Sequence, residues 1–447
     1  MKSIYFISLG CDKNLVDSEV MIGELSARGY GFCETMEEAD AVIVNTCCFI
    51  GDAKEESVDT ILEAADLKTQ GIIKCLIVTG CLAQRYQADV LTEIPEVDAE
   101  LGTMSIGDIA DVLDKAFAGE SGVSEFAPVD SPLYQSDKRI STSHLHYAYL
   151  KIAEGCDKRC TYCIIPYLRG PYRSFPMEHL VKEATKLAEQ GINELILVAQ
   201  ETTLYGKDLY GSRSLPKLLG KLSEIEGIQW IRIMYCYPEE IDDDLIETIA
   251  GNPKVCHYLD IPIQHASDEV LKRMGRRTSQ ADLRRIIARL REKIPDIALR
   301  TTLISGFPGE TQEDFETLYR FVNEMEFDRL GVFAYSQEED TPAASFADQI
   351  PDEIKEQRRD ELMELQQEIC IDNASKYVGR VMDAVIDGRL TSDDIYIGRT
   401  YMDAPDVDGY VYMNVDRDRM SGSHVRVLIT ESKDYDLIGE IIDESAQ

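Results

Sequence analysis

No stretch of this 447-residue chain reaches the roughly 18 consecutive apolar residues that a membrane helix needs. Its opening, Met1-Lys2-Ser3-Ile4-Tyr5-Phe6-Ile7, lacks a long apolar core followed by a small-residue cleavage site. Both absences make the cytoplasm the expected location, with no membrane partner. Positive charge is scarce: 46 Lys and Arg stand against 82 Asp and Glu, a net charge of −36. General nucleic-acid binding is therefore not expected, because it depends on Lys and Arg neutralising phosphates. A basic protein is the partner such a surface would attract. Internal repeats and low-complexity tracts are also missing. What remains is an ordinary globular balance, 44% apolar and 29% charged, long enough for two to four domains.

Cysteine, in contrast, is plentiful: twelve residues whose positions do not look like a secreted disulfide framework. Without an export signal, so many thiols point to metal or redox chemistry. Periodicity divides the chain. In residues 1–118, short apolar runs (4–9, 41–46, 76–79) alternate with helical patterns (17–28, 54–67), which reads as a parallel sheet covered on both faces. Residues 119–141 are aperiodic and carry Gly, Ser and Pro, as a linker does. Over 142–373, six strands are expected at 147–152, 194–199, 230–235, 258–263, 298–305 and 329–335, separated by helices. Six β–α units in a row predict a partial (β/α)6 barrel with its chemistry at the C-terminal strand ends. A charged helix over 352–375 separates it from residues 376–444, where five short strands with Asp-Gly turns predict a small antiparallel β-barrel. The expected fold class is thus α/β multidomain.

Directly after the first barrel strand lies Cys156-Asp157-Lys158-Arg159-Cys160-Thr161-Tyr162-Cys163, a CxxxCxxC. Three thiolates this close can hold a 4Fe–4S cluster and leave one iron open to a small chelate such as an amino acid. A zinc site is the alternative, although zinc usually pairs a CxxC with a second, distant pair to close four ligands. In the N-terminal region each expected strand runs into a cysteine, at Cys11, Cys47 and Cys81. Parallel strands end along one edge, so these three can converge without a local motif and form a second three-cysteine 4Fe–4S site. Gly10 and Gly80 permit tight turns there. Cys48 competes with its neighbour Cys47, and the position directly after the strand favours Cys47. Cys33, Cys75, Cys236, Cys256 and Cys370 read as structural thiols.

The CxxxCxxC and its place resemble the radical S-adenosylmethionine superfamily. That resemblance implies S-adenosylmethionine chelated at the open iron and cleaved to a 5′-deoxyadenosyl radical, which takes hydrogen from an unactivated carbon. Tyr162 then either packs near the adenine or covers the cluster from solvent. Two cysteine triads, the barrel and a TRAM-like terminal barrel together resemble the methylthiotransferase family over essentially the whole chain. The resemblance implies two 4Fe–4S clusters, S-adenosylmethionine as methyl and radical source, and a sulfur donor and an electron donor that the sequence does not name. One branch of the family modifies adenosine in transfer RNA. The other modifies an aspartate of ribosomal protein S-twelve of the small subunit. Leu9-Gly10-Cys11-Asp12-Lys13-Asn14-Leu15-Val16-Asp17-Ser18-Glu19, Ile164-Ile165-Pro166-Tyr167-Leu168-Arg169-Gly170, Ala199-Gln200-Glu201-Thr202-Thr203-Leu204-Tyr205-Gly206 and Gly398-Arg399-Thr400-Tyr401-Met402-Asp403-Ala404-Pro405 are similar to the second branch. That branch commonly has Pro after the first cysteine; Asp12 replaces it here, in what reads as a solvent-facing loop.

Residues 375–447 carry 15 acidic and 8 basic side chains, which suits a basic ribosomal protein better than transfer RNA. For S-adenosylmethionine, the candidates are Gly155 and Tyr162 beside the cluster, Gln200 and Glu201 after the second barrel strand, and Gln264 with His265 after the fourth. Gly306, in Ser305-Gly306-Phe307-Pro308-Gly309, and Tyr335 with Ser336 complete the set. Arg300 reads either as a carboxylate contact or as a structural ion pair. Residues 272–300 hold ten basic and three acidic side chains, the one positive island in the chain. At helical spacing such a run is usually a solvated face, with a ribosomal contact as the alternative.

Overall fold

The computed structural model describes residues 2–142, 146–390 and 394–442. Residues 143–145, 391–393 and 443–444, which belong to the expected domains, lie outside the described residues. The chain forms two compact units, and neither is a continuous stretch of sequence. The first comprises residues 1–142, 153–175 and 336–344; the second comprises 143–152, 176–335 and 345–447.

The first unit is built on a six-stranded, all-parallel sheet in the order β2-β1-β3-β4-β5-β6. These strands are β1 (Ser3–Ser8), β2 (Gly31–Phe32), β3 (Ala41–Thr46), β4 (Cys75–Gly80), β5 (Ala99–Leu101) and β6 (Val123–Glu125). Every residue of β3 and β4 is buried, as their continuous apolar runs require. Successive side chains alternate between faces. Val42, Val44, Leu76 and Val78 pack with Ile61 of α2 (Gly51–Thr69) and Leu82 of α3 (Cys81–Tyr86). Ala41, Ile43, Cys75 and Ile77 pack with Met21 and Leu25 of α1 (Asp12–Arg28) and with Ile109 and Leu113. At about 1.5–3 kcal/mol per fully buried aliphatic side chain, these two layers dominate the stability of the unit. β6 falls inside the stretch that reads as a linker. It is three residues long and only partly buried at the sheet edge, too short to leave a periodic signal.

Two stretches distant in sequence complete this unit. Residues 153–175 form a loop closed by a two-strand pairing of Ala153–Glu154 with Arg173–Ser174. Residues 336–344 bring the buried Glu338 to Lys54 Nζ (2.9 Å) and Arg85 Nη1 (3.2 Å), and the Ala343 N–H donates to the Thr161 carbonyl (2.9 Å).

In the second unit, β7 (Tyr147–Lys151) begins a six-stranded parallel sheet that continues through Glu194–Val198, Trp230–Ile233, Val255–Asp260, Ala298–Ser305 and Arg329–Ala334. The fourth strand lies three residues earlier than expected and stops before Pro262, which has no N–H for a ladder. Five further strands close a small barrel. One of its pairings, Val411–Met413 with Leu437–Gly439, is parallel, so the barrel is not purely antiparallel. Tyr147, Ile196, Trp230 and Tyr258 share one apolar core with Val385, Tyr396, Val411 and Val427 of that barrel. The helix Asp352–Ser375 does not act as a separator. It lies against the sheet, with Gln366 Nε2 donating to the Phe327 carbonyl at 2.7 Å.

Candidate functional site

Pairing register brings the three strand-end cysteines of the first unit to one edge. Ser8 lies opposite Asn45, and Thr46 opposite Gly80, so Cys11, Cys47 and Cys81 leave the sheet side by side. Gly10 adopts φ +87°, and a Cβ there would lie 2.7 Å from Cys47 Cβ and 2.8 Å from Cys47 Sγ. Gly80 adopts φ +94°, and a Cβ would meet the Thr46 carbonyl oxygen at 2.5 Å. Both positions therefore require glycine for backbone conformation and for space. Cys11 caps α1 and is exposed, whereas Cys47 and Cys81 are buried. Burial pushes the Cys47 thiol up to about 11, with Cys81 and Cys11 adding to the shift. Cys48 is fully buried among Val44, Ile61 and Leu82, so the two neighbours occupy different environments.

Polar side chains support this edge from beneath. Asn14 Nδ2 donates to the carbonyls of Leu9 (2.7 Å) and Thr46 (3.3 Å), while Asn45 Nδ2 donates to the Asn14 carbonyl (3.0 Å) and to Ser18 Oγ (2.8 Å). Ser57 Oγ receives the Cys47 N–H (3.0 Å) and donates to the Cys47 carbonyl (2.9 Å). Asp12 does not face solvent as expected: it opens α1, pairs with Lys13 at 2.9 Å, and its side chain is only 9% exposed. A carboxylate in the first turn is favoured by the helix dipole.

The same unit carries the second triad. Cys156 and Cys160 are buried, Cys163 is half-buried, and Cys163 donates its N–H to the Cys160 carbonyl at 3.0 Å. Burial, then the neighbouring Cys160 and Cys156, push the Cys163 thiol up. Gly155 has φ +80°, with the carbonyl oxygens of Gly170 and Pro171 where a Cβ would stand. Arg159 also lies in the left-handed region, at φ +53°. Tyr162 is half-buried. Among the described residues, no three His, Cys, Asp or Glu side chains meet the spacing of a single metal ion. Ligands spread over the corners of a cube stand further apart than those of one ion, and three thiols converging at one sheet edge or within one eight-residue loop are the donor type such a cluster takes.

One side chain that sequence reasoning quoted but gave no role is Arg169, at the end of the short helix Ile165–Arg169. It is 2% exposed. Its Nη1 donates to Asp17 Oδ2 (2.5 Å) and Glu154 Oε2 (3.2 Å), and its Nη2 donates to Asn14 Oδ1 (3.0 Å) and Cys81 Sγ (3.4 Å). Burial disfavours its charge, but Cys81, Glu154 and Asp17 hold it firmly protonated. Distance along the chain hid it: no local pattern links residue 169 to residues 14, 17 and 81.

The second unit places the remaining candidates at its strand ends. Glu201 is fully buried and accepts a short hydrogen bond from Thr203 Oγ1; Gln200, beside it, is half-buried. Gln264 takes a left-handed φ of +70° and bridges to the next strand, where the Ile304 N–H donates to its carbonyl at 2.8 Å. His265 is fully buried and accepts the Ser267 N–H at Nδ1 (2.9 Å). Gly306, at φ +69°, lies against Lys355, and its N–H donates to Glu310 Oε2 at 2.8 Å. Tyr335 is buried edge-on against Phe307, with ring centroids 5.4 Å apart. Ser336 belongs to the other unit, where its Oγ donates to Glu338. Arg300 pairs with Asp260 (3.0 Å) and Asp408 (3.3 Å), a structural ion pair. The basic island is largely consumed internally: Arg284 pairs with Glu324, Arg289 with Asp243, and Arg273 with Asp348.

Family models match in three places: the Radical SAM superfamily over residues 150–322, Uncharacterized protein family UPF0004 over 3–102, and the TRAM domain over 378–442. Among solved structures, the fold resembles the radical S-adenosylmethionine methyltransferase TsrM from Kitasatospora setae. The TM-score is 0.56 at 13% identity, covering 86% of this chain and 78% of that one. Fold and cysteine loop therefore define a radical S-adenosylmethionine enzyme, a class that works with a 4Fe–4S cluster and S-adenosylmethionine. Curated relatives narrow the class. The chain is 60% identical to the ribosomal protein uS12 methylthiotransferase RimO of Lachnoclostridium phytofermentans, over 98% of this chain and 99% of the relative. It is 49% identical to that of Acetivibrio thermocellus over the full length of both, and 48% identical to that of Clostridioides difficile, also over both full lengths. This chain belongs to the RimO family of ribosomal protein uS12 methylthiotransferases, which favours the ribosomal-protein branch over the transfer-RNA one.

Proposed function

We propose that this enzyme places a methylthio group on the β carbon of an aspartate of ribosomal protein uS12, in the cytoplasm. The observation that carries this reading is the presence of two cysteine triads within one compact unit of a chain that is RimO-like from end to end. Cys156, Cys160 and Cys163 would hold one 4Fe–4S cluster, and Cys11, Cys47 and Cys81 the other. When bound, the first cluster and S-adenosylmethionine would supply the radical and the methyl group that acid–base side chains cannot, and the second cluster would receive the sulfur from a separate donor. The chain's own task is binding and orientation. Gly155 and Gly306 let the chain turn tightly beside the site, with left-handed φ angles and protein atoms packed where a Cβ would stand. Tyr162 and Tyr335 offer ring faces, and Gln200, Glu201 and Gln264 offer polar contacts for the methionyl and nucleoside parts of S-adenosylmethionine. The acidic surface draws in the basic substrate protein.

The test is anaerobic reconstitution followed by incubation with uS12, S-adenosylmethionine, a reductant and sulfide. A methylthio mass increment on an aspartyl peptide is expected; modification confined to transfer RNA would overturn the reading. Replacing Cys156, Cys160 or Cys163 by Ala should abolish reductive cleavage of S-adenosylmethionine. The same change at Cys11, Cys47 or Cys81 should spare cleavage and stop sulfur insertion.

A further inference from the structure

Arg169 reaches from the loop of one triad to a cysteine of the other. It lies six residues beyond Cys163, yet its guanidinium stands 3.4 Å from Cys81 Sγ. It is held there by Asn14 and Asp17 of the helix that Cys11 caps, and by Glu154, two residues before Cys156. A planar fork with several donors can meet all four partners at once; an ammonium on a flexible stem cannot. Asn14 in turn donates to the carbonyls of Leu9 and Thr46, which precede Cys11 and Cys47. All three cysteines of the N-terminal edge are thereby tied, directly or through Asn14, to a residue of the radical loop.

We infer that Arg169 is a positioning residue for the Cys11, Cys47 and Cys81 centre, and that its N–H and positive charge at the Cys81 sulfur raise the reduction potential of the cluster held there. Net charge and hydrogen bonds to the sulfurs are two of the levers that set such potentials. The charge arrives on the loop that carries the other cluster, so the redox setting of the second centre depends on that loop being in place. This inference rests on the assignment of those three cysteines as cluster ligands.

The experiment uses the full chain carrying Cys156→Ala, Cys160→Ala and Cys163→Ala, reconstituted so that only the second centre is loaded. Iron content, midpoint potential and the paramagnetic-resonance spectrum of the reduced cluster are then measured. Arg169→Gln should move the potential to a more negative value at unchanged iron per chain, and Arg169→Lys should recover part of the shift while altering the spectrum. Glu154→Gln, which leaves the guanidinium in place and removes a compensating carboxylate, should move the potential the opposite way. This second variant decides the matter if Arg169→Gln does not fold. Unchanged potentials in the variants that load iron would overturn the inference and leave the ligand assignment standing. A parent chain that takes up no iron would overturn the ligand assignment, and the inference with it.

Discussion

Two adjacent cysteines give the sharpest contrast at the scale of single residues. Cys47 lies against Gly10 at the sheet edge, and Cys48 is sealed in the apolar layer beneath. Cys48→Ala should therefore keep full iron loading and cost about 1 kcal/mol of stability, the usual penalty for a small core truncation. Cys47→Ala should lose the iron of the second centre; iron analysis and urea unfolding of the same two variants separate the effects. Gly80→Ala combines a left-handed backbone with a collision at the Thr46 carbonyl. It should destabilise the iron-free chain by about 2 kcal/mol or more and lower iron uptake, because Thr46 directly precedes Cys47. The glycines and cysteines of this edge were legible in sequence, since each follows an apolar run that could only be a buried strand. Arg169 was not. Three of its four partners are 88 to 155 positions away along the chain, and nothing local marks an arginine that will be buried.

Among elements, the strands of the second unit are locked to the terminal barrel by buried charge. Glu194, fully buried, pairs with Arg232 (2.9 Å) and with Arg399 (2.9 Å) of the terminal barrel. Burial alone would raise the Glu194 carboxyl, but Arg399 and Arg232 outweigh it and hold it down at about 2. Arg399→Met would strip one cation from this buried group and leave Asp387 without its partner, at a cost of roughly 3–5 kcal/mol, read from urea unfolding at pH 7. Acid acts on the same contact. Because Glu194 titrates lower in the folded chain than in the unfolded one, its contribution is complete above pH 4.5 and fades as pH falls toward 2. His146, next to Arg399, is lowered to about 4 by burial and by that cation; the nearby Asp387 carboxylate is already engaged by Arg399. Its contribution is complete above pH 6.5 and fades toward pH 4. Thermal melts across this range should thus show stability falling in two stages, with the first diminished in His146→Gln and diminished further when His424, likewise lowered by burial, is also replaced by Gln. Periodicity revealed the strands themselves, because each buries an apolar face. The ion pairs that join them escaped it, because Glu194 and Arg399 look like surface residues until both are buried.

For the whole molecule, the net charge of −36 acts through association more than through folding. Salt screens exposed charges over about 8 Å at physiological strength. Raising ionic strength should therefore raise KM for the basic substrate protein several-fold while leaving substrate-free cleavage of S-adenosylmethionine nearly unchanged; parallel steady-state assays check both. Charge counting showed the sign of the surface but not how the charges of residues 272–300 are paired. That segment reads as a basic island, yet its arginines largely neutralise carboxylates on neighbouring helices and loops, which only the folded chain brings near.

The N-terminal unit draws on three separated stretches of the chain, ending with residues 336–344. During synthesis, Asp17 and Asn14 wait for Arg169, and Lys54 and Arg85 wait longer still for Glu338. Domains usually finish in the order in which they emerge from the ribosome. Here the part made first is among the last to be completed, because its closing ion pairs form only after the final strand of the parallel sheet has been translated.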